Sequence, residues 1–282
     1  MDNRPIGFFD SGVGGITSIP HVMKMMPDEK IIFFGDTART PYGSKSPETI
    51  KTFARQITDF LAKNNVKMIA IACNTVSATC LEDLRALHPD IPVIGTISPT
   101  SKVVSKVCTE DDRIGIIATS ATVKSGAYEK KIRELRPELK LFSKACPAFV
   151  PLIEEGIIDN EIMDLTIKYY LDDFIRDNDI NTLVLACTHY PLISGNLERL
   201  YPGIKVISSS KEVATAVEIE LRQRDMLAGG FDAYDITGEA DAGSRQNVFF
   251  ASDLSENFVK MIRRILGEDE EQLNIRFKNL DI

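Results

Sequence analysis

The sequence predicts an α/β fold built on largely parallel sheets, and three observations predict it. Short apolar runs recur along the chain, each followed by a loop and a helical pattern. Most of the runs lack polar alternation, as expected of parallel strands covered on both faces. One pair of strand-like runs is also echoed further along, in the same order, which points to two similar halves.

The predicted strands span 6–9, 30–34, 68–72, 92–94, 114–118, 139–142, 183–186 and 205–207. Most are rich in Ile, Val, Leu and Phe. Residues 47–64 read as a helix, with Ser46 as N-cap, Pro47 in the first turn and Glu48 close behind. Residues 160–177 carry apolar side chains at helical spacing, and a further helix is expected over 16–26. Strand alternating with helix implies right-handed crossovers. The stretch 226–245, rich in Gly, Ala and Asp, reads as a long loop, and the acidic run 268–272 as a solvated helix end or turn. In the echo, residues 6–11 share a pattern with 114–119, and 68–75 with 183–189, at offsets of 108 and 114 residues.

A chain of 282 residues, 44% hydrophobic and 26% charged, makes one large domain or two modest ones. The net charge of −8 repels phosphate backbones and anionic lipid, so no direct nucleic-acid or membrane binding is expected. An acidic substrate would need local positive charge or aimed backbone amides. No signal peptide opens the chain and no apolar run approaches about 18 residues, so a cytoplasmic protein is expected. Its cysteines are Cys73, Cys80, Cys108, Cys146 and Cys187. An odd number without any Cys-x-x-Cys pair disfavours both a disulfide framework and a structural zinc site. The ordinary role of any one of them is a small buried apolar residue.

Three segments carry chemistry. Asp10-Ser-Gly-Val-Gly-Gly15 follows a predicted strand and precedes a predicted helix. Ligands in such sheets bind beyond the carboxyl ends of the strands, where glycines let amides approach an anion. The spacing fits neither dinucleotide fingerprint nor P-loop, and a plain tight turn stays open. Asp10 is a candidate proton-handling group. Cys73, with Asn74 and Thr75, follows the 68–72 strand, and Cys187, with Thr188 and His189, follows the 183–186 strand. Each thiol sits where a strand opens into a loop. A metal at Cys187 and His189 would need two more ligands, and neither His21 nor His88 has a comparable setting, so no metal is expected.

Two thiols in matching places suggest inversion of a carbon centre. One thiolate takes the α-proton while the opposite thiol delivers another, and the roles swap with the hand of the substrate. Tuned thiols can act as general acid and base. Asp10 is the expected helper of Cys73, and His189 that of Cys187. Polar residues between them, Pro41-Tyr42-Gly43-Ser44, Asn74, Thr75, Thr119, Thr122 and Thr188, suit the carboxylates and ammonium of an amino acid. Each alone is an ordinary turn or cap residue.

Together these segments resemble the glutamate racemases of the aspartate/glutamate racemase family. The likeness is carried by Phe9 to Gly15, Phe34 to Arg39, Pro41 to Ser46, Ala72 to Thr75, Ser125 to Tyr128, Cys146 to Gly156 and Cys187 to Leu192, in family order, and by Phe249 to Asp253 near the end. The resemblance implies two similar doubly wound α/β domains facing one cleft. The first would comprise 1–97 with 208–282, and the second, inserted, 98–207. It implies racemisation of L- and D-glutamate without pyridoxal phosphate, metal or other cofactor, D-glutamate for peptidoglycan, and a homodimer. By resemblance Cys73 and Cys187 are the bases, Asp10 and His189 support them, and Glu154 assists on the second side. Ligand contacts by resemblance are Asp10, Ser11, Pro41, Tyr42, Gly43, Ser44, Asn74, Thr75, Thr119, Thr122, Thr188 and His189.

Three places depart from the family pattern. Ala186 stands before the second cysteine, Pro99-Thr100-Ser101 lies near the hinge, and Ser208-Ser209-Ser210 follows the last strand of the second half. They bear on contact between the halves. Rival readings are an aspartate racemase or related two-cysteine racemase, whose kind tends to carry Glu where His189 stands, and an amino-acid-binding protein without catalysis. Binding alone needs no thiol pair. With a carboxylate helping one thiol and an imidazole the other, the two directions are expected to differ in rate and pH dependence.

Overall fold

A computed structural model describes residues 1–229, 247–267 and 274–280. Ten strands are seen among them: β1 (Ile6–Asp10), β2 (Ile31–Gly35), β3 (Met68–Ile71), β4 (Val93–Ile94), β5 (Arg113–Ala118), β6 (Lys140–Ala145), β7 (Thr182–Ala186), β8 (Lys205–Ser208), β9 (Val248–Ala251) and β10 (Asn274–Phe277). The helices are α1 (Ile19–Met25), α2 (Pro47–Lys63), α3 (Asn74–Leu87), α4 (Ile97–Val107), α5 (Ser120–Ser125), α6 (Ala127–Leu135), α7 (Phe149–Glu154), α8 (Glu161–Asn178), α9 (Ser194–Leu200), α10 (Ser209–Gln223) and α11 (Glu256–Leu266).

The strands form two parallel sheets, ordered β10-β9-β2-β1-β3-β4 and β6-β5-β7-β8. The echo in the sequence becomes spatial here. β1 and β5 take the same place in their sheets, as do β3 and β7, and β2-β1-β3-β4 repeats as β6-β5-β7-β8. β1 pairs with β3 from Ile6 opposite Met68, and β5 with β7 from Ile114 opposite Thr182. β1, β3 and β7 are buried along their whole length, as two-sided cover demands, whereas the edge strands β6 and β8 are only partly covered.

All eight predicted strands are present. β9 and β10, which extend the first sheet, were not expected from the sequence. Ser46 caps α2 by accepting from the Thr49 amide at 3.3 Å, as its position predicts. The helix expected over 16–26 is broken. A 3-10 turn covers Gly14–Ser18, and α1 starts only at Ile19. Pro20 is the cause, because proline fits the first turn of a helix and has no amide to donate from an interior position. From residue 230 onward the expected loop 226–245 lies outside the described residues, as does the run 268–272. No helix among the described residues is long and apolar enough to cross a membrane.

One buried apolar cluster runs through both sheets' surroundings. It holds Val13 and Ile16 beside the first sheet together with Phe149, Val150, Cys187 and Tyr190 beside the second. Burial of that many apolar side chains, at about 25 cal/mol per Å², holds the two sheets with their carboxyl edges against each other. The chain passes from the first sheet to the second between β4 and α4, and returns between β8 and α10.

Candidate active site

The residues that anchor the site sit at the carboxyl ends of strands. Asp10 ends β1, Cys73 follows β3 and precedes α3, Thr119 caps α5 after β5, and Cys187 follows β7. β1 and β3 are neighbours that lead away on opposite sides of the sheet, and β5 and β7 repeat that arrangement. A crevice opens at such a switch point because the flanking connections diverge.

A cavity of about 20 Å³ lies there, lined by Ser11, Pro41, Tyr42, Gly43, Cys73, Asn74, Thr75, Thr119, Val150, Cys187, Thr188 and His189. Both thiols therefore face one space. All but Val150 were expected from the sequence. Val150, a buried apolar residue of α7, gave no polar signal that could have marked it. The volume suits about one water molecule. A five-carbon amino acid needs far more, so its entry requires the walls to move apart. Ser44 lies elsewhere: it is exposed at the end of a 3-10 turn and does not line the cavity. Asp10, Thr122 and Glu154 stand behind the lining.

On the first side, Cys73 Sγ donates to Ser11 Oγ at 3.5 Å. Burial, helped by the negative charge of Asp10, pushes the Cys73 thiol up to about 12, so it is protonated at neutral pH. Asp10 is fully buried. Its carboxylate accepts from the amides of Gly12 at 3.2 Å and Gly15 at 3.0 Å, and from Thr188 Oγ1 at 3.2 Å. Burial raises Asp10 above the ordinary carboxylate value, against the pull of His189 and of these donors. The glycine loop, read from sequence as a cradle for an external anion, thus turns two of its amides on its own aspartate. The chain can bend so closely because position 15 lacks a side chain: a Cβ there would stand 2.5 Å from Asp10 Cβ. A 3-10 turn, not an α-helix, follows the loop, so no full helix dipole points into the site.

On the second side, a relay of three groups leads outward. His189 Nδ1 lies 4.0 Å from Cys187 Sγ, and Nε2 lies 3.0 Å from Glu154 Oε1. Burial pulls the imidazole down, but hydrogen bonds to Cys187 and Glu154 outweigh it and hold His189 well above its ordinary 6.5. The imidazolium gives a developing negative charge on Cys187 its counter-charge. Glu154 also accepts from Thr40 Oγ1 at 3.2 Å, which ties α7 to the loop before Pro41. Glu154→Gln should release His189 toward its ordinary value. The imidazolium is then lost at lower pH, and the alkaline limb of a kcat/KM profile moves down, with activity falling about tenfold. An unmoved limb would contradict the relay.

Across the cavity, Thr75 Oγ1 meets Thr119 Oγ1 at 2.9 Å and Thr122 Oγ1 at 3.4 Å, so three hydroxyls from the two sheets' loops satisfy one another. No Lys or Arg lines the cavity. Carboxylates bound there would rely on neutral donors and on His189. Asp36, which directly follows β2, lies in one of the segments that carry the resemblance but was not among the expected site residues. Buried, it accepts from Arg39 Nε at 2.8 Å, from Ser252 Oγ at 2.7 Å and from the Tyr42 hydroxyl, and so fixes the ring that forms one wall.

Residues 20–217 match the Asp/Glu/Hydantoin racemase family, and the chain belongs to it. Its relatives narrow the placement. The chain is 40% identical over 268 residues to the glutamate racemase of Geobacter metallireducens, covering 95% of this chain and 94% of that one. It superposes on the glutamate racemase of Francisella tularensis, solved in complex with D-glutamate, with a TM-score of 0.88 at 34% identity, over 100% of this chain and 99% of that one. For the Thermus thermophilus glutamate racemase, solved with β-chloro-D-alanine, the TM-score is 0.81 at 33% identity, over 99% of each chain. Within the family the chain groups with the glutamate racemases.

Proposed function

We propose that this protein interconverts L- and D-glutamate by direct proton transfer at the α-carbon, with Cys73 and Cys187 as the two acid–base groups. One observation carries the proposal: both thiols line a single small cavity, from matching strand ends of two sheets of the same order. Substrate between them would present its α-carbon to a sulfur on either side.

With Cys73 protonated by its burial, the substrate-free protein is set for delivery from that side. Cys187, beside the His189 cation, takes the proton from the opposite face. The other hand needs the roles exchanged. Asp10, made more basic by burial, is the proposed acceptor of the Cys73 proton. Ser11, Tyr42, Gly43, Asn74, Thr75, Thr119, Thr188 and His189 are proposed to hold the substrate, with Pro41 shaping the wall and Thr122 behind. The same reading divides the chain into 1–97 with 208–282 and 98–207. It assigns the product to peptidoglycan synthesis in the cytoplasm, and the protein to a homodimer on family grounds, with no pyridoxal phosphate or metal in the reaction. The net charge of −8 supports the absence of direct nucleic-acid binding.

Optical rotation tests the substrate directly. Purified protein without added cofactor should carry L-glutamate to zero rotation and leave L-aspartate essentially unchanged. Racemisation of aspartate alone would overturn the substrate assignment.

A further inference from the structure

The side chain next to Cys73 makes contacts that substrate binding does not explain. Asn74 is the first residue of α3 and is almost completely buried. Its Oδ1 accepts from the Tyr128 hydroxyl at 2.5 Å and from Thr96 Oγ1 at 3.0 Å. Its Nδ2 donates to Ser209 Oγ at 3.0 Å, and Ser209 Oγ in turn donates to the Leu185 carbonyl at 3.1 Å.

The places of these partners in the fold are the telling point. Thr96 stands where the chain leaves the first sheet for the second, and Ser209 where it returns. Tyr128 belongs to α6, beside the second sheet. Leu185 lies in β7, two residues before Cys187. An unbroken path, Asn74 to Ser209 to Leu185, thus joins the neighbour of one cysteine to the strand that presents the other. Both acceptor positions of Asn74 Oδ1 are filled, so this side chain has a single Nδ2 proton left for any ligand.

We infer that Asn74 is a positioning residue, a tie that sets the span between Cys73 and Cys187 and holds the cleft shut. The inference rests on the two-thiol reading above for its catalytic consequence, but not for its geometry. When the walls part to admit a substrate, the bonds from Tyr128 to Asn74 and from Ser209 to Leu185 are among those that must give. Closing restores them and returns both sulfurs to working distance. The serines at 208–210 acquire a role here, because Ser209 is the middle link. Ser210 adds a parallel contact of 2.7 Å to Thr17 Oγ1, next to the Asp10 loop.

Ser209→Ala and Tyr128→Phe each remove one link with little change of shape. In the substrate-free protein, iodoacetamide should alkylate Cys73 and Cys187 about fivefold faster in either variant than in wild type, read at each cysteine by peptide mass spectrometry. With glutamate, kcat should fall about tenfold while KM changes less, since misplacement of the reacting groups by a fraction of an ångström suffices. Thr96→Ser, which keeps the hydroxyl, should match wild type in both measurements, whereas Thr96→Val should match Ser209→Ala. If one variant fails to fold by thermal melting, the others carry the test. Alkylation rates within about twofold of wild type in the folded variants would overturn the tie, since a pure ligand contact at Asn74 predicts that result. Absence of glutamate turnover in wild type, with alkylation still responding, would sink the substrate reading and leave the tie standing.

Discussion

Cys73→Ala and Cys187→Ala should each lower kcat/KM for glutamate racemisation by about a thousandfold, within the range that a single acid–base group supplies. The change removes the only atom that can carry the α-proton on that face. Melting temperature should move little, because each substitution deletes one buried sulfur from a site that already holds a small cavity. Cys108→Ala is the informative control. Cys108 is also buried, but it packs in the cluster around α4 and touches no part of the site. It should keep activity within about twofold of wild type. Near-wild-type racemisation by either active-site variant would return the two thiols to the ordinary role of buried cysteines.

The second large effect is expected at Gly14. A Cβ there would stand 2.4 Å from His189 Nδ1 and 2.6 Å from Thr188 Oγ1. Both neighbours belong to the opposite side of the cleft, and Thr188 also reaches Asp10. Gly14→Ala must therefore push the imidazole off Cys187 or hold the two sides apart. Either shift is of ångström size, and kcat/KM should fall about a hundredfold. Gly195→Ala provides the contrast. Nothing lies within 4 Å of its added carbon, and it sits on α9. That variant should retain full activity and gain about 0.5 kcal/mol of stability in urea melts. Equal effects of the two substitutions would show that the Gly14 loop does not position His189.

The sequence-based expectation that the two directions differ needs a thermodynamic limit. L- and D-glutamate have the same free energy in water, so kcat/KM must be equal in both directions. Unlike helpers on the two thiols can show only as matched differences in kcat and KM, the direction with the larger kcat having the proportionally larger KM.

Much of the architecture was legible because burial writes itself into apolar runs. β1, β3, β5 and β7 are such runs, and the cysteines could be placed at their ends by counting. β10 was not legible: Asn274-Ile-Arg-Phe277 is a partly exposed edge strand with two apolar residues, too short for any period to show. β9, Val248–Ala251, is as short and apolar as β3, and its partial burial as a strand joining β2 to β10 is decided by the packed sheet. The break before α1 is written in the sequence as Pro20, although the apolar pattern runs on through it. In the site, the thiols, Asp10 and His189 stood out by residue type and position. Their supports did not. Asn74 with Ser209, Asp36 with Ser252 and Thr17 with Ser210 join residues 135, 216 and 193 positions apart. Ser, Thr and Asn have no periodicity that announces such partners, because their pairing is decided by the packed fold.

Glutamate turnover in D2O addresses the two-thiol claim most directly. Starting from L-glutamate without added cofactor, early product D-glutamate should carry α-deuterium while the remaining L-glutamate stays protonated, because one sulfur removes the proton and the other delivers solvent deuterium. Early D-glutamate that keeps the original α-proton, or deuterium entering substrate and product equally from the first turnovers, would contradict it.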